Sequence, residues 1–516
     1  MSNARMAYDR LSTGRNQFLN TAVECAELTL PYLLTEDTNT PNSKRKLPMP
    51  WSSVGAKAVV TLASKLMLAL LPPQTTFFKL QVREDKLGEL DSPELRSELD
   101  LSFSKIERTI MDFIAASNDR VVVHQAIKHL IVSGNALIFM GKDGLKNFPL
   151  NRFVINRDGN GNVIEIVTKE LISKDLMEPI IGQDDPMRVV TDRMSVDDEC
   201  EVYTHCRLEN GRWVWHQEVN DKIIPGSRST APKNASPWLP LRFNTVDGED
   251  YGRGRVEEFL GDFRSLDSLS QALIEGSSAA AKVVFLVSPS STTKPGTLAK
   301  AGNGAIIQGR PEDVGVVQVG KTADFGTAAN MAQNIERRIG EAFLQLNIRQ
   351  SERTTAEEVR LTQLELEQQL GGLFSLLTVE FLVPYLNRIM LVLQRNGQLP
   401  KIPKEFVRPS IVAGVNALGR GQDRESLAQF MGTVAQTLGP DALMSYINPS
   451  EVIKRLAAAQ GIDTLNLIKS EEQMQQEMQQ AKQDQVNQSL IDQAGQLANS
   501  SVAEQAMQSN PPMTNG

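Results

Sequence analysis

The order of elements between residues 253 and 346 constrains this 516-residue chain more than any single motif in it. Arg253 to Lys282 reads as one helix, with Val256, Leu260, Phe263, Leu266, Leu269 and Leu273 on a stripe at the spacing of a buried face. Residues 283–325 switch to strand and turn signals, and helix returns from Ala328. A polar, basic loop, Asn347-Ile-Arg349-Gln-Ser-Glu-Arg353, then separates this helix from a further helical run to Gln394, with a second break expected at Gly371-Gly372. Thr354 or Thr355 reads as the N-cap of that run, with Glu357 and Glu358 in its first turn. Capping explains the local structure. It does not explain why two long helices should be held apart by charged residues.

The chain exceeds the size at which one core keeps growing, so two to four packed regions are expected. Residues 4–33 read as an amphipathic helix with Leu11, Phe18, Val23 and Leu28 inward, stopped near Pro31. A polar loop from Glu36 to Pro50 leads into a strongly apolar helix from Trp51 to Leu71. Helices at 92–117 and 121–134 follow, the second ending at Gly134-Asn135. Ala136–Met140, Phe153–Ile155, Val163–Val167, Glu201–His205 and Arg212–Trp215 then alternate or run apolar between turns, which is a strand-rich half-domain. Segment 180–198 is polar and acidic, as a surface insertion would be. Beyond the Pro-rich link Leu399–Pro409, short helices are expected to about Ile468. The last 46 residues hold twelve Gln and about five net negative charges, a composition that buries little and predicts disorder.

Charge and composition exclude several functions. A net charge of −8 suits a tight DNA binder poorly, because such proteins neutralise phosphates with Lys and Arg. That charge does not exclude DNA as a passing cargo. Aromatics at 5% are too sparse for a base-stacking surface. Cys25, Cys200 and Cys206 form no CxxC pair and read as free thiols. The N-terminal stretch lacks an apolar core, and the run Ala58–Leu71 is interrupted by Ser64 and Lys65. Neither reads as a signal peptide or a membrane span, so a soluble protein is expected.

Gly315-Val-Val-Gln-Val-Gly320-Lys321-Thr322 matches the phosphate-loop pattern, and a nucleoside triphosphatase using Lys321 and Thr322 is the rival reading. Four observations oppose it. The intervening VVQV reads as strand rather than loop, Arg310-Pro-Glu-Asp313 before it is a turn, Ala323–Gly326 separates the Lys from the expected helix, and no apolar strand ending in Asp follows. Asn156–Asn162 resembles the start of a calcium loop, but Val167 stands where a bidentate Glu is needed, which favours a β-hairpin turn. His124, His129, His205 and His216 include no ligand pair on one helix face, and no G-x-S-x-G elbow occurs. Glu257-Glu258 and Glu357-Glu358 read as solvated or helix-start charges. No cofactor, metal or catalytic residue is expected.

Trp51–Ala56 followed by Leu62–Ala69 and Pro73-Gln-Thr75, Gly134-Asn135 before a strand, and Tyr251-Gly-Arg with Glu257–Leu266 together resemble the portal, or head-to-tail connector, of short-tailed double-stranded-DNA phages. Gly309–Asp313, Glu352–Val359, Leu370-Gly-Gly372 and Gly419–Asp423 continue the resemblance, which spans roughly residues 6 to 465.

The resemblance implies a mainly α fold with an α+β wing and a small β-rich clip, as one subunit of a cyclic ring, usually a dodecamer. It implies a wing at 1–252, stem helices at 253–282 and 326–346, and a clip at 283–325. It further implies a tunnel loop at 347–355, a long wing helix at 356–400, crown-side helices at 401–470 and a tail at 471–516. Its implied partners are further copies of the chain, DNA in the channel, the terminase large subunit, a tail adaptor, and the major capsid and scaffolding proteins, with no membrane. Arg349, Arg353 and Arg360 are the candidate channel residues, and Lys294, Lys300, Arg310 and Lys321 the candidate docking surface of the clip. Residues 336–360 carry five basic and five acidic side chains, so each arginine would form a local ring of charge, not part of a basic tunnel. A generic scaffold oligomer without a channel shares the composition.

Overall fold

The computed structural model describes residues 3–34, 47–72, 76–82, 93–142, 144–173, 199–281, 284–290, 293–302, 305–317, 322–345, 371–400, 407–411, 430–437 and 452. The chain divides into two compact units, Met1–Leu418 and Gly419–Gly516. In the second unit the described residues are a helical stretch, 430–437, and the half-turn at Val452. The elements below belong to the first.

Four helices open the chain: α1 (Ala4–Glu27), α2 (Val54–Leu70), α3 (Pro93–Ala116) and α4 (Asp119–Ser133). Asn3 caps α1 by accepting the Arg5 amide at 3.1 Å. Gly134, at φ 72°, ends α4 in the left-handed region where a side chain would be strained. α4 is the centre of the unit, packed against α1, α2 and two strands, β2 (Asn135–Met140) and β3 (Leu145–Phe148). β2 lies between β3 and β10 (Trp238–Arg242) in an antiparallel three-stranded sheet.

A second antiparallel sheet runs β4 (Phe153–Arg157), β5 (Val163–Ser173), β6 (Glu199–Glu209), β7 (Arg212–Val219) and β8 (Lys222–Ile223), with β9 (Ser229–Pro232) also on β7. The first two turns of α1 cover part of it, with Ala4, Ala7 and Tyr8 packed on Val154, Val167 and Tyr203. The Asn156–Asn162 stretch is a β-hairpin turn, in which Asp158 accepts the amides of Asn160 and Asn162 at 2.9 and 2.7 Å. Phe78–Val82 (β1) pairs with Val407–Ile411, the final strand of the unit.

After β10 come a short helix α5 (Arg255–Glu258), α6 (Leu260–Ala281), β11 (Val284–Val287), α7 (Pro295–Ala299), β12 (Val314–Val317) and α8 (Thr322–Ala342). β11 and β12 pair antiparallel, Val284 opposite Val317. α6 and α8 pack antiparallel, since Phe263 meets Phe343 near one end and Gly276 meets Phe325 near the other. Helix α9 (Gly371–Arg395) contains a π-helical turn at Thr378–Leu382, and β13 is the Val407–Ile411 strand. α9 is long and apolar enough to cross a membrane, yet Leu373, Phe374, Leu377, Phe381, Tyr385, Leu386 and Ile389 are buried in the main core.

Several expectations are corrected. α1 stops at Glu27 and the chain turns, although Leu30, Leu33 and Leu34 stay buried. The helix expected from Arg253 to Lys282 breaks at Phe259, where the Phe259 amide bonds back to Val256 and the Phe263 amide starts a new ladder at 3.1 Å. α8 begins at Thr322 and ends at Ala342, four residues earlier at each end than the stretch 326–346. Gly371 and Gly372 are helical; the roughly 1 kcal/mol that each glycine costs a helix is offset by the packing of the turns that follow. The Pro-rich link carries strand β13, because an edge pairing with β1 tolerates Pro409 opposite Leu80. Segment 180–198, the loop 347–355 and the Gln-rich tail lie outside the described residues.

Candidate functional site

The α6–β11–β12–α8 hairpin is rooted in the body at one end, and the root is built from motifs 117 residues apart in the sequence. Asn135 Nδ2 donates to the Gly252 carbonyl at 2.8 Å, and the Gly252 amide donates to Asn135 Oδ1 at 2.7 Å. Gly134, Gly252 and Gly254 bring two backbones into contact. A Cβ on Gly252 would lie 2.7 Å from the Gly134 carbonyl oxygen, and one on Gly254 would lie 2.7 Å from that of Val132. Buried Tyr251 accepts the Ile155 amide at 3.1 Å, tying the same turn to β4.

The two arginines of Tyr251-Gly-Arg-Gly-Arg255 have separate tasks. Arg253 bridges Glu249 and Glu257 at 2.6 Å each and lies over the Phe18 ring, and these carboxylates hold its guanidinium firmly in the charged form. Arg255 pairs with Glu258 at 2.6 Å, covers the Phe259 ring, and donates to the Ala342 carbonyl at 3.2 Å. Glu257 and Glu258 are thus ion-pair partners rather than bare helix-start charges. Phe343, fully buried, packs edge-on against Phe259 and Phe263. Further out, Arg338 pairs with Asp262 at 2.6 Å, and Arg264 with Glu24 on α1. Asp267 accepts the amides of Trp51 and Ser52 at 2.7 and 3.1 Å just before α2.

α9 is fixed to the same body by charge. Arg242 donates to Glu380 from its backbone amide at 2.9 Å and from its guanidinium at 2.6 and 2.9 Å. Arg157 lies 3.8 Å from the same carboxylate and, deeply buried, has its pKa lowered to about 10 by loss of solvent. The π turn carries Glu380. Five residues on, Tyr385 donates to Asp119 at 2.6 Å, and burial pushes that carboxyl above the usual range.

Outside this root the hairpin has almost no interior. Between residues 268 and 334 the one buried side chain among those described is Thr293. Ile274, Leu286 and Met331 are more than half exposed, and Ile306 is fully so. Thr293 packs against Gly309, which brings Lys294 and Arg310 to one crossing of the long β11–β12 connection. Lys294 and Lys300 flank α7, Arg310 precedes the short turn Pro311–Asp313, and all three are exposed. Lys321, and the candidate channel residues Arg349, Arg353 and Arg360, lie outside the described residues.

The rival phosphate-loop reading fares unevenly against these positions. Gly315 sits inside β12, preceded by the Pro311–Asp313 turn, where a phosphate loop needs its first glycine at the end of a strand. The expected gap between Lys321 and the helix is absent, because α8 opens at Thr322. The strand position of Gly315 is therefore the argument that stands.

Of the histidines, His205 and His216 face each other across β6 and β7, and each pairs with a carboxylate: Glu165 at 2.6 Å and Glu218 at 2.7 Å. Glu218 also accepts the Ala4 amide at 2.7 Å, and Arg10 of α1 reaches Glu165 at 2.9 Å, so these pairs fasten α1 to the sheet. Among the described residues no three His, Cys, Asp or Glu side chains group to hold a metal.

An α+β body thus carries a helical hairpin with few buried side chains among those described, rooted by backbone contact and ion pairs. The chain belongs to the bacteriophage head to tail connecting protein family, whose model matches residues 1–468. It is 37% identical to the portal protein of Escherichia phage T7 over 92% of this chain and 90% of that protein. It is also 37% identical to the portal protein of Enterobacteria phage T3 (92% and 90% covered) and 31% identical to that of Enterobacteria phage SP6 (92% and 92%). It is a portal-type connector of the phage virion, at the head–tail vertex.

Lys65, which donates to the Leu344 carbonyl, and Arg255, Asn135 and Glu380 make contacts that the sequence does not single out. Gly134-Asn135 and Tyr251–Arg255 were visible as motifs, but nothing in one dimension says that they touch. Lys65 stood out as an interruption of an apolar run, which was the available signal.

Proposed function

We propose that about twelve copies of this chain close into a ring whose α6–α8 hairpins surround a channel for double-stranded DNA, used in packaging and in ejection. The observation that carries this reading is the scarcity of buried side chains among those described in the hairpin. Ile274 on α6, Leu286 on β11, Ile306 in the β11–β12 connection and Met331 on α8 leave apolar surface that neighbouring copies would cover. In this assembly the body up to residue 252 and the helix to about residue 400 form the wing, 401–470 the crown side, and α6 and α8 the stem. The β11–β12 region is the clip, which docks the terminase large subunit during packaging and a tail adaptor afterwards. Lys294, Lys300, Arg310 and Lys321 lie on that docking surface. Residues 347–355 form the tunnel loop, with Arg349, Arg353 and Arg360 toward the DNA, and the ring nucleates assembly with capsid and scaffolding proteins. The chain is a passive conduit, and nucleotide hydrolysis belongs to the motor.

Mass photometry and negative-stain imaging test the ring. Twelve chains of 56.9 kDa give particles of about 0.7 MDa with a central hole. Monomers or dimers alone across a range of salt would count against it. ATP hydrolysis by the purified protein that disappears in Lys321→Ala would favour the motor reading instead.

A further inference from the structure

The C-terminus of α8 is held more tightly than helix packing requires. The Gln345 amide bonds to the Gly340 carbonyl at 2.7 Å and the Leu344 amide to that of Glu341 at 3.1 Å, the paired bonds of a Schellman turn. That turn needs a left-handed residue, ordinarily glycine, and here the residue is Leu344 at φ 56°. Its side chain is buried, so the turn is kept although its backbone is strained. Two cations from separate elements then take the last carbonyls: Arg255 of α5 donates to Ala342, and Lys65 of α2 donates to Leu344. Both stand at the negative end of the α8 dipole. The Lys65 ammonium is partly buried, which lowers its pKa, and α2 otherwise turns Ala63, Leu66 and Met67 into the core. A charge placed in such surroundings is expensive unless it is hydrogen-bonded, and the Leu344 carbonyl supplies that bond.

We propose that Lys65 is a positioning residue: with the left-handed Leu344 it fixes the turn that ends α8, and so the direction in which the chain leaves that helix before the segment 346–355. The inference rests on the reading of that segment as the tunnel loop for its consequence, but not for its geometry. Lys65 and Leu344 act before the loop begins, and neither needs to touch DNA.

Arg349 and Arg353 are natural trypsin sites within the segment and give the test in assembled full-length protein. Lys65→Met keeps the aliphatic stem and removes the donor, while Lys65→Arg restores a cationic donor. The expected result is tryptic cleavage at Arg349 and Arg353 faster by about tenfold in Lys65→Met, the factor that one hydrogen bond to a charged donor carries in a local opening equilibrium. Lys65→Arg should return most of the way to wild type, with the thermal unfolding of the body unchanged in both. Equal cleavage in wild type and Lys65→Met would overturn the proposal, as would equal acceleration in Lys65→Met and Lys65→Arg. DNA retention in particles carrying Lys65→Met separates the two readings. Faster cleavage with lower retention supports both, whereas faster cleavage with normal retention upholds the positioning role and removes the segment from the DNA path.

Discussion

The carboxamide of Asn135 and the backbone of Gly252 exchange two hydrogen bonds, 2.7 and 2.8 Å long, across 117 residues of sequence. Both bonds are buried, and α5, which leads into the hairpin, starts three residues after Gly252. Their geometry therefore decides where the hairpin projects from the body.

Substitution at this contact should cost more than its size suggests. Gly252→Ala places a methyl 2.7 Å from the Gly134 carbonyl oxygen and 2.9 Å from the Arg242 Cβ, with backbone on one side and a packed strand on the other. Asn135→Ala leaves the Gly252 amide and carbonyl unpaired inside the protein. Each change is expected to destabilise the body by about 2–4 kcal/mol, seen as a lower denaturation midpoint at unchanged slope. A loss below about 0.5 kcal/mol in both variants would mean that the junction relaxes freely.

Glu380→Ala should be as severe. It leaves Arg242 and Arg157, 11% and 5% exposed, without their shared carboxylate. Removal of one partner from a buried ion pair costs about 3–5 kcal/mol, because the remaining charge is stranded. The double variant Glu380→Ala/Arg242→Met should recover part of that loss. Equal stability of the single and double variants would show that solvent already screens the pair.

Acid should loosen the attachment of α1 to the sheet. His205 donates a hydrogen bond that holds the Glu165 carboxyl below its ordinary pKa of 4.5, aided by Arg207 and Arg10. A carboxylate depressed in the folded state contributes stability in full above its unfolded pKa, and that stability is lost as pH falls through the folded value. Stability should thus decline below about pH 4.5, and Glu165→Gln should flatten that part of the profile. Chemical denaturation between pH 6 and pH 3 measures both slopes, and parallel curves would assign the acid sensitivity to other carboxylates.

Arg349→Ala/Arg353→Ala rings should assemble normally yet package or retain DNA less well. In the proposed ring each arginine would be repeated around the axis, and a phosphate contact in water is worth about 1 kcal/mol or less and is screened by salt. Such contacts would act on the sliding of DNA and not on ring stability. Particles assembled with these rings give the readout, genome content after packaging and after storage. Normal values would take both residues out of the DNA path.

What the sequence determined by itself was local and periodic. The alternation along β4 to β7 and the Asp158–Asn162 turn follow from side-chain spacing and short-range hydrogen bonds, and these elements formed where they were expected, whereas the stripe from Val256 to Leu273 formed helix in two pieces broken at Phe259. The helix–strand–strand–helix order of the hairpin was legible for the same reason. Its boundaries were less so: α8 ends at Ala342 because Phe343 enters the Phe259–Phe263 cluster and Lys65 takes the Leu344 carbonyl, contacts made from far away in the chain. Only the tertiary structure decided that Gly134 meets Gly252, that Glu380 receives Arg242 and Arg157, and that Val407–Ile411 pairs with Phe78–Val82 rather than remaining a linker. Those outcomes depend on close approach of backbones and on neutralising buried charge, and neither has a period that a one-dimensional reading can detect.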